Sequence, residues 1–126
     1  MSHVEAITKA VGAHGLWKHR IQQAIATGNS EFTPAGVSPD NLCEFGKWLH
    51  SLPPAQKNSA DWQAVQALHA KFHQTASHVL DLALKGHKVD AEREVGPGSN
   101  FTKASTDLTM AMLKWKSAAA AAESRA

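Results

Sequence analysis

At 126 residues, 43% of them hydrophobic and 19% charged, the chain has the size and composition of one soluble globular domain. A formal charge of +2, spread over interleaved acids and bases, gives no basic stripe for nucleic acid. No apolar run approaches the roughly 20 residues that cross a bilayer.

The N-terminus, with Glu5 and Lys9 inside an amphipathic pattern, does not read as a secretory signal. One cysteine rules out an internal disulfide framework and fits a reducing, cytoplasmic setting. The anomaly is histidine, present eight times.

In chain order, Ile7, Ala10, Val11, Leu16, Trp17, Ile21, Ala24 and Ile25 follow i, i+3, i+4 spacing and predict a first helix near 3–27. Ser2, with Glu5 three residues on, supplies the cap, and Gly28 the stop. Pro34 and Gly36 make 30–37 read as a loop. Ser38, Pro39, Asp40 and Asn41 form a start signature for a short second helix, 39–52, carrying Leu42, Phe45, Trp48, Leu49 and Leu52. Pro53 and Pro54 end it.

Ser59 caps a third helix, 60–86, through Trp62, Val65, Leu68, Phe72, Ala76, Val79, Leu80 and Leu84. A short helical piece near Val89–Val95 breaks at Gly96, Pro97 and Gly98. A last helix, 100–120, carries Phe101, Ala104, Leu108, Ala111, Met112 and Trp115. The alanines from Ala118 to Ala122 extend it toward a disordered tail at 123–126. Strand alternation is absent, and four amphipathic helices over 1–122 point to an all-α antiparallel four-helix bundle.

His69 and His73 lie four residues apart on the third helix, so both imidazoles project from one face, the one that carries Val65, Phe72 and Ala76. His14 continues the inward row Ile7, Ala10, Val11. Cys43 falls in the early turns of the second helix, where unpaired N–H groups favour a thiolate. Gly46, a costly residue in a helix interior, suggests close approach of another helix or of the site.

Taken singly, an HxxxH pair is more often incidental, an inward histidine more often a hydrogen-bonded core residue, and a buried cysteine more often filler. Three histidines and one cysteine from three helices, all inward, leave several buried polar groups needing partners. One tetrahedral Zn2+ on His14, Cys43, His69 and His73 satisfies all four in the bundle core. His50 is a weaker substitute for Cys43, two turns away. His3, His19, His78 and His87 read as surface or boundary residues, Met110 and Met112 as packing residues, and the four tryptophans as core and edge aromatics.

With these residues placed, the sequence resembles the chemoreceptor zinc-binding domain family. His14 is followed by Gly15 and Leu16, the segment Cys43 to Trp48 fits the family's Cys-x-apolar-Gly-x-apolar signature, and the pair His69 and His73 closes the pattern. Trp17 and Lys18, and the run Phe101 to Ser105, are also typical of the family. The resemblance implies a four-helix bundle with a three-histidine, one-cysteine zinc site. It also implies a homodimer that regulates a bacterial chemoreceptor or diguanylate cyclase domain, and a zinc–thiolate centre responding to zinc or to hypochlorous acid.

The function expected is therefore regulatory and not enzymatic. Four protein ligands close the coordination sphere, whereas catalytic zinc keeps an open position. The alternative is a structural, zinc-stabilised adaptor without a sensing role. Cys43 is the ligand expected to be labile, being the only sulfur and lying on the shortest helix.

Overall fold

A computed structural model describes residues 2–41 and 43–124, which are all-helical, with no strand among them. The helices are α1 (His3–Thr27), α2 (Pro34–Val37), α3 (Glu44–Ser51), α4 (Pro54–Lys57), α5 (Ala60–Leu84), α6 (Lys88–Glu94) and α7 (Asn100–Ser124).

Local chemistry sets the ends of the long helices. Ser2 Oγ accepts the Glu5 N–H at 3.1 Å, and Ser59 Oγ accepts that of Trp62 at 3.1 Å. Ser99 Oγ caps α7 by accepting the Thr102 N–H at 3.2 Å. Gly28, at φ 73°, closes α1 in the left-handed region. Gly86, at φ 80°, does the same after α5: its N–H reaches the Ala83 carbonyl, and that of His87 the Leu82 carbonyl.

The helix α5 packs against every other helix, and α1 and α7 also pack against each other. Their shared core holds Ile7, Ile21, Val65, Phe72, Val79, Leu80, Phe101, Leu108 and Met112, each at most 1% exposed. At one end of this core, the His3 ring of α1 meets Trp48 of α3 and Trp115 of α7, with centroids 5.2 and 5.7 Å away. The Trp62 indole N–H donates to the Leu49 carbonyl at 3.0 Å, tying α5 to α3.

Several expectations change. The second helix begins at Glu44, not at 39, and its cap is Cys43, whose backbone is extended (φ −77°, ψ 160°). The Ser38–Asn41 signature is spent on a turn, because Ser38 closes α2, a helix that occupies part of the expected loop. Leu42, assigned above to the second helix, lies outside the described residues. The third helix ends at Leu84, two residues early.

The last helix runs through Ser124, taking in Glu123 and Ser124 from the expected tail; residues 125–126 lie outside the described residues. Leu16 and Met110 leave the core, at 53% and 65% exposed. Met110 stands two positions from fully buried Met112, about 200° round the same helix, so both cannot face inward.

Candidate metal centre

Three segments bring the four expected side chains together. His14 comes from the middle of α1, His69 and His73 from successive turns of α5, and Cys43 from the cap of α3. One donor atom from each lies within 4.8 Å of every other. Cys43 Sγ is 3.4 Å from His69 Nε2 and 3.5 Å from His73 Nε2, and these two nitrogens are 3.0 Å apart. A tetrahedral ion with Zn–N of about 2.0–2.1 Å and Zn–S of about 2.3 Å spaces its donors by about 3.3–3.6 Å. The donors of Cys43, His69 and His73 stand near that spacing, and that of His14 lies within 4.8 Å of each.

Backbone carbonyls orient two of the rings. A carbonyl can only accept, so the 2.8 Å contact of His14 Nδ1 with Ala10 O puts the proton on Nδ1 and leaves Nε2 bare. His73 Nδ1 likewise donates to Val37 O at 2.9 Å, freeing its Nε2. These are outer contacts of the kind that aim imidazole at a metal. The first carbonyl lies on α1 itself. The second is the last residue of α2, which gives that short helix a part in the site. Ser77 Oγ fastens α2 to α5 through the Pro34 carbonyl at 2.7 Å.

His14 Nε2 is buried with no hydrogen-bond partner. A bare, desolvated lone pair costs free energy unless a proton donor or a cation meets it. It lies among the other three donors, so one ion bound there would satisfy it. His69 Nδ1 is also buried without a partner, so this ring lacks the outer contact its neighbours have.

Electrostatics prepare the imidazoles. Burial, then repulsion by His73, lowers His14 from 6.5 to about 4. Burial and the neighbouring histidines lower His69 to about 2. Burial also lowers His73. All three are therefore neutral at pH 7, the form that binds metal.

Cys43 departs from the sequence expectation. Gly46 donates its N–H to Sγ at 3.3 Å, and the amides at the start of α3 favour the thiolate, but burial outweighs them and raises the thiol. Metal capture would have to displace that proton.

The residues set aside stay outside. His50 Nε2 pairs with Asp40 Oδ2 at 3.1 Å, and Gln66 Nε2 donates to the same oxygen at 3.4 Å. His19, His78 and His87 are exposed, and His3 is half-buried. Asp40 is the residue the sequence undervalued. It read as a helix-start acid, yet it fastens the loop before Cys43 to α3 and α5 through contacts 10 and 26 residues away. No local pattern encodes such contacts.

The model of the chemoreceptor zinc-binding domain family matches residues 14–80, more than half the chain and a span that includes all four candidate donors. The chain belongs to the chemoreceptor zinc-binding domain family. No curated protein and no solved structure matches it. The family match begins at His14, the first donor, and ends at Leu80, one residue of the α5 core face. The resemblance read from His14–Leu16, Cys43–Trp48 and His69–His73 thus holds. The family binds zinc, and the donor set, one sulfur and three imidazole nitrogens, suits that ion. No described helix is long and apolar enough to cross a membrane.

Proposed function

We propose that this chain is a cytoplasmic zinc-binding regulatory domain of bacterial signal transduction, without enzymatic activity, with one Zn2+ on His14, Cys43, His69 and His73. The observation that carries the reading is the bare, buried His14 Nε2 among three further donors, all mutually within 4.8 Å. Four protein donors leave no open position for substrate.

An antiparallel four-helix arrangement, with α3 as the short member beside α1, α5 and α7, accommodates these contacts. It is supported by the ring of His3, Trp48 and Trp115 at one end and by His14, Phe45 and His69 at mid-height. A homodimer attached to a chemoreceptor or diguanylate cyclase output fits the family.

Elemental analysis of protein purified without a histidine tag tests the metal reading. One zinc per chain is expected, lost when His69 and His73 are both replaced by alanine. Zinc content unchanged by that double replacement would overturn the assignment.

Cys43 is the labile ligand. A thiolate attacks hypochlorous acid to give a sulfenic acid and chloride, and the oxidised sulfur is a poorer zinc donor. The element that carries Cys43, α3, is eight residues long, whereas each histidine sits in a 25-residue helix. Zinc release on mild hypochlorous acid treatment is the expected result. Zinc retained beside demonstrably oxidised Cys43 would favour the structural, adaptor-like alternative.

A further inference from the structure

A cavity of about 520 Å³ lies between α1 and the α2–α3 segment, with Cys43 on its wall. That volume falls within the range of small-molecule sites. Its shape follows from sequence spacing. Ala6, Ala10 and Ala13 stand at i, i+4 and i+7 on α1, so a strip of small side chains runs along that wall between Lys9, His14 and Trp17. Across from that stripe, Val37 and Phe45 bring apolar surface from the α2–α3 segment.

Arg20, Trp17 and Phe32 line the cavity beyond the last of these alanines. The Arg20 guanidinium lies 5.0 Å from the Trp17 ring centre and 4.9 Å from that of Phe32. These two rings contact each other at 4.9 Å. The guanidinium is thereby held at the cavity, and no ion pair to a carboxylate is formed by it among the described residues. A planar fork held by aromatic faces is prepared to take a carboxylate in bidentate fashion. Lys9 adds a second positive charge to the lining and, among the described residues, Glu44 is its one negative charge, so the cavity favours anions.

We infer that this cavity is a binding site for a flat aromatic monocarboxylate, with the carboxylate on Arg20 and the ring along the alanine stripe toward Cys43. The inference goes beyond the zinc reading: His14, Cys43 and His73 also line the cavity, which therefore opens onto the metal cluster, but the groups assigned to the ligand, Arg20 and the alanines of α1, are not donors to it. It does give the cluster a neighbour through which a small molecule reaches Cys43.

The test is isothermal titration of the zinc-loaded protein with 3-phenylpropionate and with its neutral counterpart, 3-phenylpropan-1-ol, with zinc content followed in the same samples. The acid is expected to bind at least about tenfold more tightly than the alcohol. Arg20→Gln should bring the acid down to the alcohol's affinity, and the alcohol reports whether the apolar walls survive that change. Ala13→Leu, which fills the alanine strip, should abolish binding of both with zinc retained. Lys9→Gln should shift the acid by no more than about twofold, because a single charge beyond the fork is screened by water.

Equal binding of acid and alcohol to the unaltered protein, no saturable binding of either, or affinity untouched by Arg20→Gln would each overturn the inference. So would acid uptake that merely strips zinc from the protein. Failure of the metal reading shows instead as protein that never carries zinc, and acid binding to that protein can still be measured.

Discussion

His14, His69 and His73, all lowered by burial, make the protein without metal sensitive to acid. The unfolded imidazoles take up protons near pH 6.5, whereas burial delays His14 to about 4 and His69 to about 2. Between those values the unfolded chain binds more protons than the folded one, so stability falls as pH falls. Urea unfolding of zinc-free protein is expected to lose midpoint steadily from pH 7 to pH 4. His14→Leu should show a shallower slope over the same range. A flat profile would mean these rings are hydrated in solution.

Gly46 gives a second expectation at this scale. A Cβ there would sit 1.8 Å from the Asp40 carbonyl oxygen, which is backbone and cannot swing aside. Helix propensity alone favours alanine over glycine by about 1 kcal/mol. Overpacking of this kind costs about 1–3 kcal/mol and wins. Gly46→Ala should therefore lower the melting temperature and weaken zinc binding together, since the loop it displaces leads into Cys43.

At the scale of elements, α3 depends on the same sulfur that the site uses. Cys43 Sγ accepts the Gly46 N–H as the cap of α3, so replacing it removes two functions at once. Serine keeps a cap acceptor and alanine does not. Without metal, Cys43→Ser is expected to be more stable than Cys43→Ala by about 1 kcal/mol, the usual worth of a cap. Both should have lost zinc. Chemical unfolding in the presence of a chelator measures the first, and elemental analysis the second.

The same cap shows where sequence reading reaches and where it stops. Ser2, Ser59 and Gly28 act through neighbours within about one helical turn, so their signals were legible. Ser38 and Pro39 carry an equally good local start signal, but α2 already uses Ser38 as its end. The choice is made by Ser77 and His73, which bind the carbonyls of Pro34 and Val37 from α5, 43 and 36 residues away. The gathering of His14, His69 and His73 on one side of the core was legible because HxxxH spacing and an inward row are local, whereas Cys43 joins them as the cap of α3 and not from within the expected helix. The roles of α2 and Asp40 were not, because they exist only once α5 is in place.

For the whole molecule, the core and the metal cluster are separable to a useful degree. Phe72, Phe101, Leu108 and Met112 join α5 to α7, with no exposure above 1%, and none of them is a donor. Each such side chain contributes about 1.5–3 kcal/mol through burial. The three long helices should therefore remain associated when zinc is removed. The helix α3 is placed differently. Besides its apolar contacts it is held by Cys43, by the pairing of His50 with Asp40, and by the bond between the Trp62 indole and Leu49.

Loss of the metal should thus act mainly on α3. Trp48 reports it, since its ring is stacked on Phe45 at 5.7 Å and lies 5.7 Å from Trp115. Chelation is expected to leave far-ultraviolet circular dichroism nearly unchanged while shifting tryptophan fluorescence. Trp48→Phe should remove most of that shift, although three tryptophans remain. A collapse of the helical signal on chelation would show that the metal holds the whole fold. A fluorescence change that survives Trp48→Phe would place the movement outside α3.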